Sequence, residues 1–353
     1  MSELRIMNKE LGIVRQEAIV ELKKTGIDSA ELDATILLCE VLKKDKIFLL
    51  THPELKLTRA QLFNFKKKIN RRMNNEPIAY ITGHKEFYKY DFVITPDVLI
   101  PRPESEELVS LALGRILKLE SRIKNNPKLS ASRFQILDLG TGSGCLAISI
   151  AKAIEELGIK NKKLGMFASD ISKQALSIAK KNAGRLLGNN GTIEQYNNLH
   201  FFHSDLFSNR KLHKMFDLII ANLPYVPKQE LRIKDEELRN CHFDSPTLRS
   251  GAEKSFCNCK ISRLSSIARD DKLNSVSFEP ATAIFAEENG TAIIKRFLDE
   301  VSPFLQQTSL LLLEVDPRNA KELLSYSKKI FQSGEIELKK DLAGLDRYLI
   351  IQK

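Results

Sequence analysis

The sequence predicts an α/β fold: a doubly wound, seven-stranded, mostly parallel sheet with an antiparallel last strand, preceded by a small helical domain. Three observations predict it. From about residue 134 onward, short apolar runs alternate with segments of helical periodicity, the pattern of a parallel sheet with helices on both faces. The first ninety or so residues read as helices alone. The last two apolar runs are separated only by DLAGLD, too short for a crossover, so they pair antiparallel.

The helical domain is expected over residues 1–76. DSAELDATILLCEVLKK opens with Asp28 as N-cap and Glu31 three positions later, the capping-box arrangement. Leu32, Ile36, Leu37 and Val41 then share a stripe, and Lys43 and Lys44 suit the negative end of the helix dipole. A second helix is expected over LTRAQLFNFKKKINRRMNNE, with Leu62, Phe65 and Ile69 inward. Residues 77–102 mix aromatics, β-branched residues and prolines, and read as an extended, hairpin-like linker rather than helix. The larger domain, 103–353, begins with Pro103 at a first helical position and Glu104, Glu106 and Glu107 in the first turn.

Strands are expected at 134–139, 164–169, 199–203, 216–221, 309–315, 335–340 and 347–352. Helices are expected near 144–157, 172–187, 288–301 and 319–330. Residues 228–276 are polar, lack strand periodicity and read as an insertion. Cys241, His242, Cys257 and Cys259 lie in it, but their spacing is not a strong zinc pattern, and no metal is expected.

Composition narrows the class. The chain has 353 residues, enough for two domains, with 42% hydrophobic and 28% charged residues, which excludes a disordered protein. No run approaches the roughly 18 apolar residues of a membrane span. The N-terminal residues mix acids with bases and lack an apolar core, so neither a secretory signal nor a transit peptide is expected. Five scattered cysteines fit reduced thiols and a cytoplasmic location. A net charge of +10 suits a partner that is, or travels with, nucleic acid, and equally suits lysines that only solubilise the surface. The densest basic stretch, FKKKINRRMNNE at 65–76, is either a solvated helix face or a docking surface.

The residues suited to chemistry cluster at strand ends. FQILDLGTGSGCLAISIAKAI delivers Asp138 on a buried strand, then Gly140, Thr141, Gly142, Ser143 and Gly144 in a turn leading to a helix. Glycines there let a ligand approach the backbone and permit positive φ. The turn is neither a dinucleotide fingerprint, since Cys145 takes the final glycine's place, nor a P-loop, since no Lys-Ser/Thr pair follows. The next strands end at Asp170, at Asp205-Leu206 and at Asn222-Leu223-Pro224-Tyr225. Ligands bind at such carboxyl ends in open α/β sheets, and a carboxylate at Asp170 is suited to ribose hydroxyls.

These residues resemble the S-adenosylmethionine-dependent methyltransferases, whose fourth motif is N/D-P-P-Y/F/W in enzymes acting on planar nitrogens. Two families compete: ribosomal RNA adenine dimethylases, which often carry Asn-Leu-Pro-Tyr, and the HemK/PrmC release-factor glutamine methyltransferases, which usually carry Asn-Pro-Pro-Tyr. The flanks resemble HemK/PrmC: Asp33-Ala34-Thr35-Ile36-Leu37-Leu38, Pro77-Ile-Ala-Tyr80-Ile-Thr-Gly83, Leu99-Ile100-Pro101-Arg102-Pro103-Glu104-Ser105-Glu106, Phe278-Glu279-Pro280 and Asp341-Leu-Ala-Gly344-Leu-Asp-Arg347. The order of domains agrees, since an adenine dimethylase places its extra domain last. Leu223 departs from the family pattern, and so does Glu314-Val-Asp316-Pro-Arg-Asn319 where E-x-G and a following Gln are usual.

The resemblance implies a Rossmann-like seven-stranded methyltransferase sheet, S-adenosyl-L-methionine as cofactor, and transfer to the N5 of the Gly-Gly-Gln glutamine of peptide chain release factors. It also implies an N-terminal domain for substrate recognition. Asp138, Gly140–Gly144, Asp170, Asp205, Leu206 and Asn222 are expected at the cofactor. Asn222, Leu223, Pro224 and Tyr225, with Leu99, Arg102 and Glu104, are expected at the substrate. Arg102 and Glu104 read equally as an ion pair stiffening a proline-flanked turn. The protein is expected to act as a monomer, off the membrane, with no requirement for direct nucleic-acid binding. Adenine N6-methylation of ribosomal RNA and a non-catalytic binding module are the alternatives.

Overall fold

A computed structural model describes residues 9–125, 134–159, 164–188, 199–227 and 276–353. Apart from its last position, the insertion expected at 228–276 lies outside the described residues, as do Cys241, His242, Cys257 and Cys259. Among the described residues no helix is long and apolar enough to cross a membrane. The chain divides into two compact units: among the described residues the first takes those up to His84 together with 276–278, and the second takes those from Lys85 to 227 and from Glu279 to Lys353.

The first unit holds α1 (Leu11–Lys24), α2 (Ala30–Leu42), α3 (Lys46–Thr51), α4 (Arg59–Met73) and α5 (Ile78–Thr82). Its core gathers Leu11, Leu22, Leu37, Leu38, Phe65 and Ile69. The N-cap of α2 is Ser29 rather than Asp28, and its hydroxyl donates to Asp33 Oδ2 at 2.8 Å. The buried face of α2 is also rotated from the expected stripe: Ala30, Ala34, Leu37 and Leu38 are inside while Leu32 is 55% exposed. Asp33 lies on this inner face as well, paired with Arg72 Nε of α4 at 2.7 Å. The capping box of this unit is instead Thr58 with Gln61, at the start of α4.

Residues 77–102 are not extended throughout. Pro77 is the N-cap of α5, where its missing N–H leaves no helical bond unmade, and Gly83 (φ +80°) closes the helix. Ile81 packs into the helical core, which overrides the poor helix propensity of the β-branched residues.

In the second unit β1 (His84–Phe87) and β2 (Tyr90–Val93) pair as a two-stranded sheet. A 3₁₀ turn at Pro103–Ser105, with proline in its first turn, leads into α6 (Glu106–Asn125). Then follow β3 (Phe134–Leu139), α7 (Cys145–Glu156), β4 (Leu164–Asp170), α8 (Lys173–Leu187), β5 (Leu199–His203), β6 (Phe216–Ala221) and β7 (Val226–Pro227). After the undescribed stretch come β8 (Phe285–Ala286), α9 (Ala292–Val301), β9 (Leu305–Glu314), α10 (Ala320–Ile330), β10 (Glu335–Lys340) and β11 (Asp346–Gln352). The helix expected from 288 begins only at Ala292; Glu288–Gly290 is a separate 3₁₀ turn, broken by Asn289 at φ 55°.

The main sheet has the order β10-β11-β9-β6-β3-β4-β5. β9, β6, β3, β4 and β5 run parallel, and β11 is antiparallel to both of its neighbours. This is the Rossmann-like methyltransferase sheet expected from the sequence. The chain starts at central β3, builds β4 and β5 on one side, then crosses back to set β6 on the other. The carboxyl ends of β3 and β6 therefore flank the topological switch point, where α/β sheets bind ligands.

Candidate active site

The loop leaving β3 is folded by its own polar groups. The N–H groups of Gly140 and Thr141 both donate to Ser169 O of β4, at 2.8 and 2.9 Å. Beneath the loop, Asp138 Oδ2 accepts from Thr141 Oγ1 at 2.6 Å and from Ala147 N at 3.1 Å. Asp138 is 1% exposed, and burial raises its carboxyl to about 6. Gly140 sits at φ +77°, and a Cβ there would lie 3.1 Å from Leu223 Cδ2. Gly144 (φ +82°) is where the loop enters α7; a Cβ there would stand 2.7 Å from Ile148 Cδ1. The Cys145 thiol is pushed up to about 12 by burial and by Asp138, so it offers no thiolate nucleophile.

Against this loop lies a cavity of about 320 Å³, within the roughly 300–1,000 Å³ usual for small-molecule sites. Gly140 and Gly142 form one wall; Asp170, Asp205 and Leu206 another; Asn222, Leu223 and Pro224 a third, with Leu99 beside them. Asp170 Oδ2 accepts Gly142 N and its Oδ1 accepts Ser172 N, each at 2.8 Å. Burial raises its pKa, against the pull of those N–H groups. Each carboxylate oxygen has a further lone pair, so Asp170 both shapes the glycine loop and can accept from a ligand. Asp205, at the far wall, is ion-paired to Arg296 of α9.

The third wall is fixed from behind. In the parallel pairing of β6 with β9, Ala221 lies opposite Leu313, which brings Asn222 beside Glu314. Asn222 Nδ2 donates to Glu314 Oε2 at 3.1 Å and to Ser105 Oγ at 2.9 Å. Tyr225 OH donates to Glu314 Oε1 at 3.0 Å. Burial, opposed chiefly by Ser105, raises the Glu314 carboxyl. Burial and the Glu314 charge hold the Tyr225 hydroxyl well above its ordinary value, so it remains a donor.

The structure thus brings Gly140, Gly142, Asp170, Asp205, Leu206, Asn222, Leu223, Pro224 and Leu99 to one cavity. It places other expected site residues elsewhere. Asp138, Thr141, Ser143 and Gly144 are not cavity walls: the first two bond one another under the loop, Ser143 is buried, and Gly144 packs on α7 and α8. Tyr225 stands behind the wall, its hydroxyl on Glu314. Arg102 is paired not with Glu104 but with buried Glu279, whose other oxygen accepts Ile100 N at 3.1 Å. Glu104 accepts Tyr348 OH through its backbone carbonyl at 2.7 Å.

Sequence reasoning missed Glu314, Ser105 and Arg296 as site residues. For Glu314 the signal was an acid ending an apolar strand, LLLLE, beside the strand that ends at Asn222. In the departure after it, Asp316 Oδ1 accepts Arg318 N at 2.9 Å and its carboxylate pairs with the Arg318 guanidinium, which fixes the turn after β9.

The chain is similar in sequence to known proteins. A family model described as the PrmC N-terminal domain matches residues 14–83, and one described as the methyltransferase small domain matches residues 122–239. The release factor glutamine methyltransferase of Koribacter versatilis (strain Ellin345) is 33% identical over 298 residues, covering 84% of this chain and 83% of its own. That of Leptospira interrogans serogroup Icterohaemorrhagiae serovar Lai is 32% identical, covering 94% of each chain. That of Aliivibrio fischeri (strain ATCC 700601 / ES114) is 28% identical and covers 98% of each. With two of these relatives more than 30% identical over most of both chains, the chain belongs to the release factor glutamine methyltransferase family.

Proposed function

We propose that this protein methylates the side-chain amide nitrogen (N5) of the glutamine in the Gly-Gly-Gln motif of peptide chain release factors, using S-adenosyl-L-methionine. The observation that carries the reading is the Asn222 carboxamide, held by its nitrogen on Ser105 and Glu314 at the edge of the cavity. With Nδ2 committed there, Oδ1 is the end of the group that an acceptor N–H can meet.

The residues present fit the cofactor. Gly140 and Gly142, both at positive φ, keep the backbone bare on one wall, and Asp170 offers carboxylate lone pairs to ribose hydroxyls. Asp205 and Leu206 suit the adenine, with Arg296 bearing on the Asp205 side. Asp138 and Thr141 act one step back, by holding the loop in shape. When bound, S-adenosylmethionine supplies a sulfonium methyl group that is electrophilic at carbon.

An amide nitrogen is a poor nucleophile because its lone pair is delocalised, so the protein's main contribution is position. Asn222 Oδ1 accepts one N–H of the glutamine and the Leu223 carbonyl accepts the other, which aligns the nitrogen; such alignment supplies several kcal/mol. The second role is a backbone role, so leucine in place of proline leaves it intact. The Leu223 side chain instead packs over Gly140. Tyr225 is held by its hydroxyl and stiffens the turn. No dedicated base is required, because the amide nitrogen that has gained the methyl group carries a positive charge, is strongly acidic, and releases its proton afterwards. The helical unit is suited to recognising the release factor, and the protein acts as a monomer. Labelled methyl transfer to a panel of release factors and to naked ribosomal RNA tests the reading: label on a release factor supports it, and label on RNA alone refutes it.

A further inference from the structure

Glu314 is 1% exposed, and the proposed chemistry gives it no task as acid or base. Every hydrogen bond described for its carboxylate comes from a protein donor. Tyr225 OH meets Oε1, while Asn222 Nδ2 and Ser105 Oγ meet Oε2. Ser105 Oγ accepts from Asn222 Nδ2 at the same time as it donates to Glu314. Three segments converge on one carboxylate: the 3₁₀ turn before α6, the turn after β6, and the end of β9.

An asparagine carboxamide has two orientations of nearly the same shape, and its neighbours decide between them. Facing a carboxylate, only the orientation with nitrogen toward Glu314 bonds both Glu314 Oε2 and Ser105 Oγ; flipped, Oδ1 can accept from Ser105 only by taking that hydroxyl away from Glu314. The flipped form sets Oδ1 against Oε2, two buried acceptors with no proton between them, which is strongly disfavoured. The polarity of the clamp is therefore decided at position 314, behind the cavity.

We propose that Glu314 is a positioning residue that fixes the polarity of Asn222, holding Oδ1 toward the acceptor and so selecting acceptors that present an N–H. A glutamine amide satisfies this; a glutamate carboxylate in its place does not. The nature of the acceptor rests on the proposed function, whereas the orientation of Asn222 rests on the hydrogen bonds alone.

A polarity swap tests it. Asn222→Asp places a second carboxylate against Glu314 and is expected to lower kcat by about 100-fold or more, since misplacing a reactant by an ångström has that effect. Adding Glu314→Gln restores a donor–acceptor pair in the opposite sense: the introduced carboxamide donates where the Glu314 carboxylate accepted, and the Ser105 hydroxyl, which can do either, reverses with it. The double variant is expected to recover at least about tenfold over Asn222→Asp. A double variant no more active than Asn222→Asp overturns the proposal.

A second readout needs no substrate. In the free protein the Asn222 side-chain amide protons, followed by NMR, are expected to exchange slowly, and to lose that protection in Glu314→Ala while S-adenosylmethionine still binds. Unchanged protection overturns the inference. Where Glu314→Ala does not fold, Glu314→Asp, which withdraws the carboxylate by one methylene, serves the same measurement. A wild-type protein that transfers no methyl to any release factor refutes the proposed function instead, and the amide measurement then decides the role of Glu314.

Discussion

Gly290 approaches Tyr225 so closely that a Cβ on Gly290 would stand 2.0 Å from the Tyr225 carbonyl oxygen. Gly290 itself has φ +91°, and Glu288 and Asn289 before it are also at positive φ. Asn319 Nδ2 holds the Asn289 carbonyl at 2.7 Å, so the 3₁₀ turn is fixed from α10 and bears on the backbone of the clamp. Gly290→Ala is expected to cost about 2 kcal/mol or more, from backbone strain and the clash together. It is also expected to lower kcat more than cofactor affinity. Urea denaturation and turnover measure the two effects, and unchanged turnover would show that the Tyr225 backbone can shift without consequence.

Asn222→Ala removes the carboxamide but leaves Gly140, Gly142 and Asp170 in place. Turnover should fall by about 100-fold or more through loss of alignment, with S-adenosylmethionine affinity nearly intact. Calorimetry and initial rates separate the two. Activity at the wild-type level would mean that another group holds the acceptor nitrogen.

In the helical unit the Asp33–Arg72 pair is almost completely buried, at 4% and 6% side-chain exposure. Asp33→Ala strips a buried guanidinium of its carboxylate and is expected to destabilise the protein by about 3–5 kcal/mol. Adding Arg72→Met should recover much of that loss, since an apolar replacement of both partners leaves no buried charge. Chemical denaturation of the three variants checks this. An Asp33→Ala protein as stable as wild type would contradict the pairing.

Asp138 makes stability depend on pH. Its folded pKa, about 6, lies above the ordinary 3.8 because of burial, with the Asp170 charge adding to the rise. Below about pH 4 the group is neutral in both folded and unfolded chains. Between about pH 4 and 6 the unfolded chain ionises while the folded carboxyl stays protonated, so the folded state loses stability, by about 3 kcal/mol once the pH is above the folded value. Asp138→Asn cannot ionise and keeps an acceptor for Thr141. Its stability relative to wild type should therefore increase between about pH 4 and 6 and then level off. A difference that does not change with pH would contradict the burial of an ionisable carboxyl there.

The central strands β3 and β6 were legible because each is a short apolar run between helical or turn-forming segments, FQILDL and FDLIIA, whereas the polar first part of β9, LQQTS, carried no such signal. The antiparallel end was legible from the length of DLAGLD alone. Residues 78–82 misled because prolines and β-branched residues speak against helix, while packing of Ile81 into the core decided for it. Asp28 misled because the N-cap falls one residue later, at Ser29, whose hydroxyl makes no cap hydrogen bond and donates to Asp33 instead. Asn222 stood out in the sequence at a strand end, but its partners did not. Glu314 is 92 positions away and Ser105 is 117 positions away, and only the neighbouring of β6 and β9 in the sheet brings Glu314 beside Asn222. Arg102 was rightly suspected of an ion pair, but its partner Glu279 lies 177 positions further on.

The central claim is that the acceptor is one amide nitrogen, the Gly-Gly-Gln glutamine of a release factor. Labelled S-adenosylmethionine, the protein and a release factor, followed by mapping of the modified residue by mass spectrometry, tests it most directly. One methyl group is expected on that glutamine, and none when it is replaced by alanine. Label that persists on the alanine-substituted factor, or that appears only on ribosomal RNA, would contradict it.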